Sequence, residues 1–211
     1  MFIGLQCQMG TSDQSTRTNE KIVFKADRFS LIPAKFYQPE SADLLLSLSS
    51  IVQGQTKAVQ VPFLKSKLLY DHPGDETFDF VQPASLLTYG QLISGLMGDS
   101  FLHFHLDISF LYVFCYAENR LQLANSFRFN NREDILYSIL STASLCGIDP
   151  RKDAFIASGF LRLNTELFSL LTKYIERLIP LNRFEGIQFS QAFADIPKHY
   201  FADVFTLPLC E

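Results

Sequence analysis

The chain contains no tryptophan, only four cysteines and no excess of basic charge. The cysteines stand far apart and form no CxxC pair, which excludes a zinc ribbon or a thioredoxin motif built from such pairs. Lys and Arg total 18 against 22 Asp and Glu, so the formal charge is −4. We expect no nucleic-acid partner, because binding to phosphate backbones depends on concentrated basic charge.

Long hydrophobic runs are also missing. The longest uninterrupted apolar run covers residues 110–117, whereas a membrane-spanning helix needs about 20 residues. The first ten residues carry no Lys or Arg, so they lack the basic start of a signal peptide. We therefore expect a cytoplasmic protein with reduced thiols and no transmembrane segment.

What the chain does contain is enough apolar material for a substantial core. Hydrophobic residues make up 47% of 211 positions, and 21 Phe and 8 Tyr supply the bulky side chains. A chain of this length forms one large domain or two small ones. The pattern changes sharply after Gly98 and Asp99, which predicts one unit at residues 1–98 and a second at residues 99–211.

The first of these units has the less regular pattern. Short apolar runs bounded by turn residues predict strands at residues 21–25, 29–32, 58–63 and 78–81. Proline-initiated apolar stripes predict helices over residues 39–49 and 84–97. Residues 71–75 have the composition of a turn.

The second unit has a clear order of elements, βββαβαβα. Alternating or wholly apolar runs joined by short turns predict an antiparallel meander over residues 101–107, 110–117 and 120–129. A helix follows from Asn130 or Asn131 to Gly147, and another runs from Asn164 or Thr165 to about Leu178. The remaining predictions are strands at residues 154–157 and 186–189 and a last short helix capped by Asp195.

This order resembles the ribonuclease-H-like unit of the actin-like ATPase superfamily, in which two such units flank a nucleotide cleft. Residues 125–129, 134–140 and 155–178, with the phrases FIASGF and LFSLLTKYIERL, also resemble an uncharacterised bacterial domain family assigned that fold. The resemblance implies an α/β fold with mixed sheets. The second unit would be complete and the first abridged.

The resemblance also indicates where a nucleotide would bind. The superfamily holds MgATP with backbone N–H groups at two DxG hairpins, one per unit, and at a double glycine between a strand and a helix. The hairpin of the second unit aligns with Asp107 and Ser109, where serine replaces glycine. The double glycine aligns with Ser158 and Gly159, so one glycine is left. In the first unit, Gly10 has no preceding aspartate and no clear return strand.

These departures imply that the fold has lost ATP hydrolysis, while binding of MgATP through Asp107, Ser109, Ser158 and Gly159 stays open. If the chain is an enzyme, the resemblance favours a weak ATPase. Degenerate actin-like domains act elsewhere as cytoplasmic scaffolds of envelope machinery. The resemblance therefore favours a non-catalytic module with an unidentified protein partner.

A third hypothesis is a metal-dependent enzyme. Alternate residues of a strand share a face, so His103, His105 and Asp107 are candidate ligands for Zn²⁺ or a similar ion. His72 or His199 would supply a fourth ligand. The alternative is a solvated strand face, on which His and Asp are ordinary residues.

The remaining nucleophiles have no catalytic pattern. No GxSxG sequence is present, and Cys115 lies within a strand. Cys115 and Cys146 both fall in apolar patterns and are interpreted as small buried hydrophobic residues.

Overall fold

A computed structural model of the chain describes residues 4–7, 19–49, 51–61, 63–72, 74, 78–182, 191 and 194–207. The strands in these ranges are β1 (Gly4–Cys7), β2 (Asn19–Phe24), β3 (Phe29–Pro33), β4 (Gln55–Val61), β5 (Ser66–His72), β6 (Phe80–Val81), β7 (Ser100–Leu106), β8 (Phe110–Ala117), β9 (Arg120–Arg128), β10 (Ala154–Gly159) and β11 (Leu178–Pro180). The α-helices are α1 (Ala42–Ser47), α2 (Gln82–Met97), α3 (Arg132–Leu145), α4 (Glu166–Tyr174) and α5 (Ala202–Phe205).

The second half of the chain is built on a five-stranded sheet in the order β11-β10-β7-β8-β9. Strands β7, β8 and β9 form the predicted antiparallel meander, and β10 and β11 extend the sheet in parallel with β7. Glu118 and Asn119 join β8 to β9 with positive φ angles of 52° and 57°. Two such residues form the turn that matches the right-handed twist of a hairpin. The described residues of this half follow the predicted order βββαβαβα, although the last strand of that order is β11 and not the segment predicted at residues 186–189.

The helices of this half begin at side-chain caps. Asn131 accepts a hydrogen bond from the Asp134 N–H at 2.8 Å, and Thr165 accepts one from the Phe168 N–H at 3.3 Å. The prediction that the second helix continues to Leu178 is wrong, because α4 ends at Tyr174. Leu178 instead pairs with Phe155 in the parallel β10–β11 ladder. The apolar spacing continues past the helix because both segments face the same core.

The large sheet is covered on both faces. Helices α3 and α4 cover one face with an apolar core that includes Leu102, Phe104 and Phe155. Helix α2 packs against the other face, with β3 and β5 contributing Phe29 and Leu68 to the same core. Strands β7, β8 and β10 are therefore buried on both faces, whereas the edge strand β9 is partly exposed.

The first half contains two three-stranded sheets, β1-β2-β6 and β3-β5-β4. Strand β5 is not predicted by the sequence, and Asp71 and His72, assigned to a turn, are its last residues. Strand β1 pairs antiparallel with β2, from Gly4↔Ile22 to Cys7↔Asn19. The expectation that the first hairpin has no return strand is therefore wrong, since β2 is that strand.

The C-terminal segment differs from its prediction. Helix α5 begins after Phe201, which has a left-handed φ of 54°, so Asp195 does not cap it. The strand predicted at residues 186–189 lies outside the described residues. Within the described ranges, no helix combines the length and the apolar character needed to cross a membrane.

Candidate functional site

Two histidines and a serine form a buried polar cluster on the α2-facing side of the large sheet. The Ser158 Oγ lies 2.9 Å from His103 Nε2 and 2.9 Å from His105 Nδ1. The parallel register of β10 and β7 creates this contact by placing Ser158 beside His105. All three residues are at most 2% exposed. The alternative of a solvated strand face is therefore wrong, because the rings of Tyr89 and Phe114 lie against His103.

The cluster keeps both imidazoles neutral. Burial, with a smaller contribution from His105, lowers the pKa of His103 to about 3. Burial also lowers the pKa of His105, although Asp203 and Asp107 oppose that shift. One hydroxyl donates only one hydrogen bond, and the Phe104 carbonyl also lies 3.4 Å from the Ser158 Oγ. At least one of the two ring nitrogens therefore donates to Ser158. Within the described residues, His103 Nδ1 has no hydrogen-bond partner.

Asp107 lies at the end of β7 and is held by a residue from the other half of the chain. Lys25, which directly follows β2, places its Nζ 2.7 Å from Asp107 Oδ2. The other carboxylate oxygen accepts the Ile108 N–H at 2.8 Å. Burial alone would raise the pKa of Asp107, but Lys25 and the Ile108 N–H hold it below its usual value. Asp107 is therefore a carboxylate whose charge is matched within the protein.

Neighbours of Lys25 make further contacts with the large sheet. The Tyr112 hydroxyl donates to Asp27 Oδ1 at 3.3 Å, and the Ser126 hydroxyl donates to the Asp27 carbonyl. Burial raises the pKa of Asp27, and the charge of Asp107 adds to this effect. The segment after β2 therefore packs against the end of the large sheet at which Asp107 joins β7 to β8.

Gly159 is required by the backbone at the end of β10. Its φ of 82° is left-handed, and a Cβ here would overlap the carbonyl oxygen of Leu106. That carbonyl accepts the Phe160 N–H at 2.7 Å, while the Gly159 N–H donates to the His199 carbonyl at 2.8 Å. Gly159 therefore allows the chain to pass close to the end of β7, and its N–H already has an acceptor within the protein.

The structure brings together three of the four nucleotide candidates. Ser158 and Gly159 pair with His105 and Leu106, the residues directly before Asp107. The Ser158 hydroxyl, however, is fully buried against the two histidines. Ser109 is exposed in the β7–β8 connection, and its carbonyl accepts the Phe129 N–H at 3.4 Å.

The metal candidates are not assembled as a ligand set. In the described part of the chain, no group of three or more His, Cys, Asp or Glu side chains is placed to hold a metal ion. His103 and His105 bind Ser158, while Asp107 binds Lys25. His199 Nε2 contacts the Leu161 carbonyl at 2.6 Å. The ring of His72 lies 5.4 Å from the ring of Phe24.

Sequence reasoning did not identify Lys25. No local motif marks it, because its partner Asp107 is 82 positions away. The only signal is its position directly after a strand, which many lysines share. Only the tertiary structure identifies this contact.

The fold has a counterpart among solved structures. A crystal structure from Bacteroides thetaiotaomicron VPI-5482 is described as a protein with actin-like ATPase fold and unknown function. It is similar to this chain with a TM-score of 0.73 and 18% sequence identity, covering 90% of this chain and 72% of that one. The likeness shows that this chain has the actin-like ATPase fold.

Comparison of sequences leads to a family as well. Among curated proteins, none matches this chain. Residues 18–178 match the family described as protein of unknown function (DUF3822). That range includes the meander, α3, β10 and α4, which carry the resemblance noted from the sequence. The chain therefore belongs to the DUF3822 family.

Proposed function

We propose that this chain is a non-catalytic protein-interaction or scaffold module that retains the actin-like ATPase fold. The observation that carries the proposal is the ion pair between Lys25 and Asp107. Asp107 is the residue that aligns with the phosphate-hairpin aspartate of the superfamily. A lysine of the same chain, rather than a free cleft, lies against it.

The neighbouring donors support the same proposal. A nucleotide triphosphate needs free N–H and hydroxyl groups around its oxygens. The Ser158 hydroxyl is engaged by two histidines, and the Gly159 N–H is engaged by the His199 carbonyl. Binding a phosphate through these groups would require each existing hydrogen bond to break.

The contact between the two halves also suits a docking platform. Enzymes that close around a ligand have domains that move about hinges. Here Lys25 and Asp27 from the first half contact Asp107, Tyr112 and Ser126 of the second. These contacts oppose separation of the two halves and favour one rigid arrangement of them.

Thermal unfolding with millimolar MgATP or MgADP tests the proposal directly. We expect no change in Tm with either nucleotide. A ligand present at 100 times its Kd would add about 2.7 kcal/mol to the free energy of unfolding. That addition would raise Tm by several degrees in a chain of this size. A clear rise in Tm would contradict the proposal, because it would mean that the chain still binds nucleotide.

A double-mutant cycle tests the ion pair itself. Lys25→Met and Asp107→Asn should each lower the free energy of unfolding by about 1–3 kcal/mol, because each leaves a largely buried partner without its counter-charge. The double variant should lose less than the sum of the two. Additive losses, measured by urea denaturation, would mean that the pair does not couple the two halves.

Nucleotide binding with weak ATPase activity is the second candidate. It is favoured by the position of Asp107 and Gly159 at the carboxyl ends of two adjacent parallel strands, β7 and β10. Ligands bind at such ends in open α/β sheets. A Tm rise with MgATP in the wild type that disappears in Asp107→Ala would replace the first proposal with this one.

A further inference from the structure

Two of the cysteines lie next to each other on the opposite face of the large sheet, away from the candidate site. Cys115 is in the middle of the meander on β8 and is fully buried. Cys146 caps the C-terminal end of α3 and is half-buried in the same core. Both are free thiols. Their sequence separation of about thirty residues gives no hint of this proximity.

Hydrogen bonds define the contact. The carbonyl of Thr142, in the last turns of α3, lies 3.9 Å from the Cys115 Sγ. The same carbonyl accepts the backbone N–H of Cys146 at 3.2 Å. Cys146 is also close enough to Cys115 to add, after burial, to the raised pKa of the Cys115 thiol. The Thr142 carbonyl therefore lies beside both cysteines, at the point where the end of α3 packs on β8.

One member of the pair reaches the surface. Cys146 lines an open cavity of about 420 Å³ together with Gln122, Leu123 and Leu145. Leu123 is the cross-strand partner of Cys115, and a bulge between Cys115 and Tyr116 leaves Gln122 unpaired beside it. Cys146 is therefore open to a small solute that enters the cavity, whereas Cys115 does not line it and is fully buried.

We propose that Cys115 and Cys146 are an oxidisable thiol pair, which a peroxide converts into a disulfide that fastens the end of α3 to β8. The Cys146 sulfur attacks one peroxide oxygen and the O–O bond breaks, which gives a sulfenic acid at Cys146 and one water. The Cys115 sulfur then attacks that sulfenic sulfur. The S–S bond forms, the S–O bond breaks and a second water leaves with the Cys115 proton. Two thiols lose two electrons in total, and hydrogen peroxide gains them.

The order of the two steps follows from burial. Oxidation is fastest at exposed sulfur, and Cys146 is the more accessible of the two. Burial, followed by the neighbouring Cys146, raises the pKa of the Cys115 thiol. Because the thiolate is the attacking form, this raised pKa disfavours Cys115 as the first sulfur to react with peroxide. Its later attack on the oxidised Cys146 depends on the proximity of the two residues instead.

The test is peroxide treatment of the reduced full chain, followed by differential alkylation and peptide mapping, which distinguish all four cysteines. We expect Cys115 and Cys146 to lose reactivity together, with a mass loss of about 2 Da that dithiothreitol reverses. The chain unfolded in urea and treated in the same way provides the positive control for oxidant strength.

Two variants provide matched controls. In Cys146→Ser, Cys115 should stay reduced because no exposed sulfur remains to form the sulfenic acid. In Cys115→Ala, Cys146 should gain about 16 Da per oxygen with no mass loss. The proposal is overturned if both thiols of the folded wild type remain reduced at a peroxide concentration that oxidises the unfolded control. It is also overturned if Cys146 accumulates oxygen in the wild type without a cross-link to Cys115.

Discussion

The two faces of the five-stranded sheet both pack against apolar cores but are built differently. The face under α3 and α4 is a continuous apolar core that includes Leu102, Phe104 and Phe155. The face under α2 places His103, His105 and Ser158 among aromatic rings. The apolar face, under α3 and α4, depends on filled volume. The polar face, under α2, has an apolar core as well, but it also depends on matched hydrogen bonds and on neutral imidazoles. The predictions below separate these two sources of stability.

Deleting volume from the apolar face should have the largest effect. Phe104 is fully buried there, and Phe104→Ala should lower the free energy of unfolding by about 3–5 kcal/mol through lost burial and a residual cavity. Urea denaturation measures this as a lower midpoint with an unchanged slope. A loss below about 1 kcal/mol would show that the core collapses to fill the cavity.

Acidification should act on the polar face. An ordinary histidine titrates near pH 6.5, whereas the pKa of His103 is about 3. The unfolded chain therefore binds more protons below pH 6.5, so stability is present above that pH and falls as the pH drops toward 3. His103 alone should account for a loss of about 2 kcal/mol at pH 5, and His105 acts in the same direction.

The check is the difference in unfolding free energy between pH 7 and pH 5. The variant His103→Phe should show a smaller pH dependence than the wild type, because it removes one titrating group. Equal pH dependence in the two proteins would mean that His103 is not the buried neutral imidazole described above. Phe104→Ala is the control on the other face and should leave the pH dependence unchanged.

Exchanging side chains between the faces is the sharpest comparison. Ser158 and Ala157 are neighbours on β10 that point to opposite faces, and both are fully buried. Ser158→Ala should cost about 1–3 kcal/mol, because it removes the hydroxyl shared by two imidazoles. Ala157→Ser should cost a similar amount, because it buries a hydroxyl in an apolar core. If either change is neutral in urea denaturation, the distinction between the faces fails at that position.

The outer surface of α3 should show the smallest effect. Leu145 is 80% exposed at the end of the helix. Leu145→Ser should change the free energy of unfolding by no more than about 0.5 kcal/mol. A loss above 1 kcal/mol would indicate that the apolar core of this face extends to the rim of the helix.

Much of the second half can be predicted from the sequence because its signals are local. Asn131 and Thr165 cap helices, Glu118 and Asn119 form a turn, and β8 is apolar at nearly every position. Each of these signals acts within a few residues and needs no distant partner. The first half is less predictable because β5 has no clear alternation and forms by pairing between β3 and β4.

The candidate site is only partly predictable. The alternation of His103 and His105 places them on one face, and the resemblance brings Ser158 and Gly159 to the same end of the sheet. The pattern alone does not show whether that face meets water or a helix. The partners that decide its chemistry, Lys25 for Asp107 and Ser158 for the histidines, lie more than 50 positions away.

The sequence by itself determined the order of strands and helices from β7 to α4, since periodicity, caps and turns act over short distances. Tertiary structure alone decided three further features. It buried a histidine pair under α2, paired Lys25 with Asp107 across the two halves, and brought Cys115 against Cys146. The physical reason is the same in each case. Burial and long-range pairing depend on which elements pack together, and that information is spread over the whole chain.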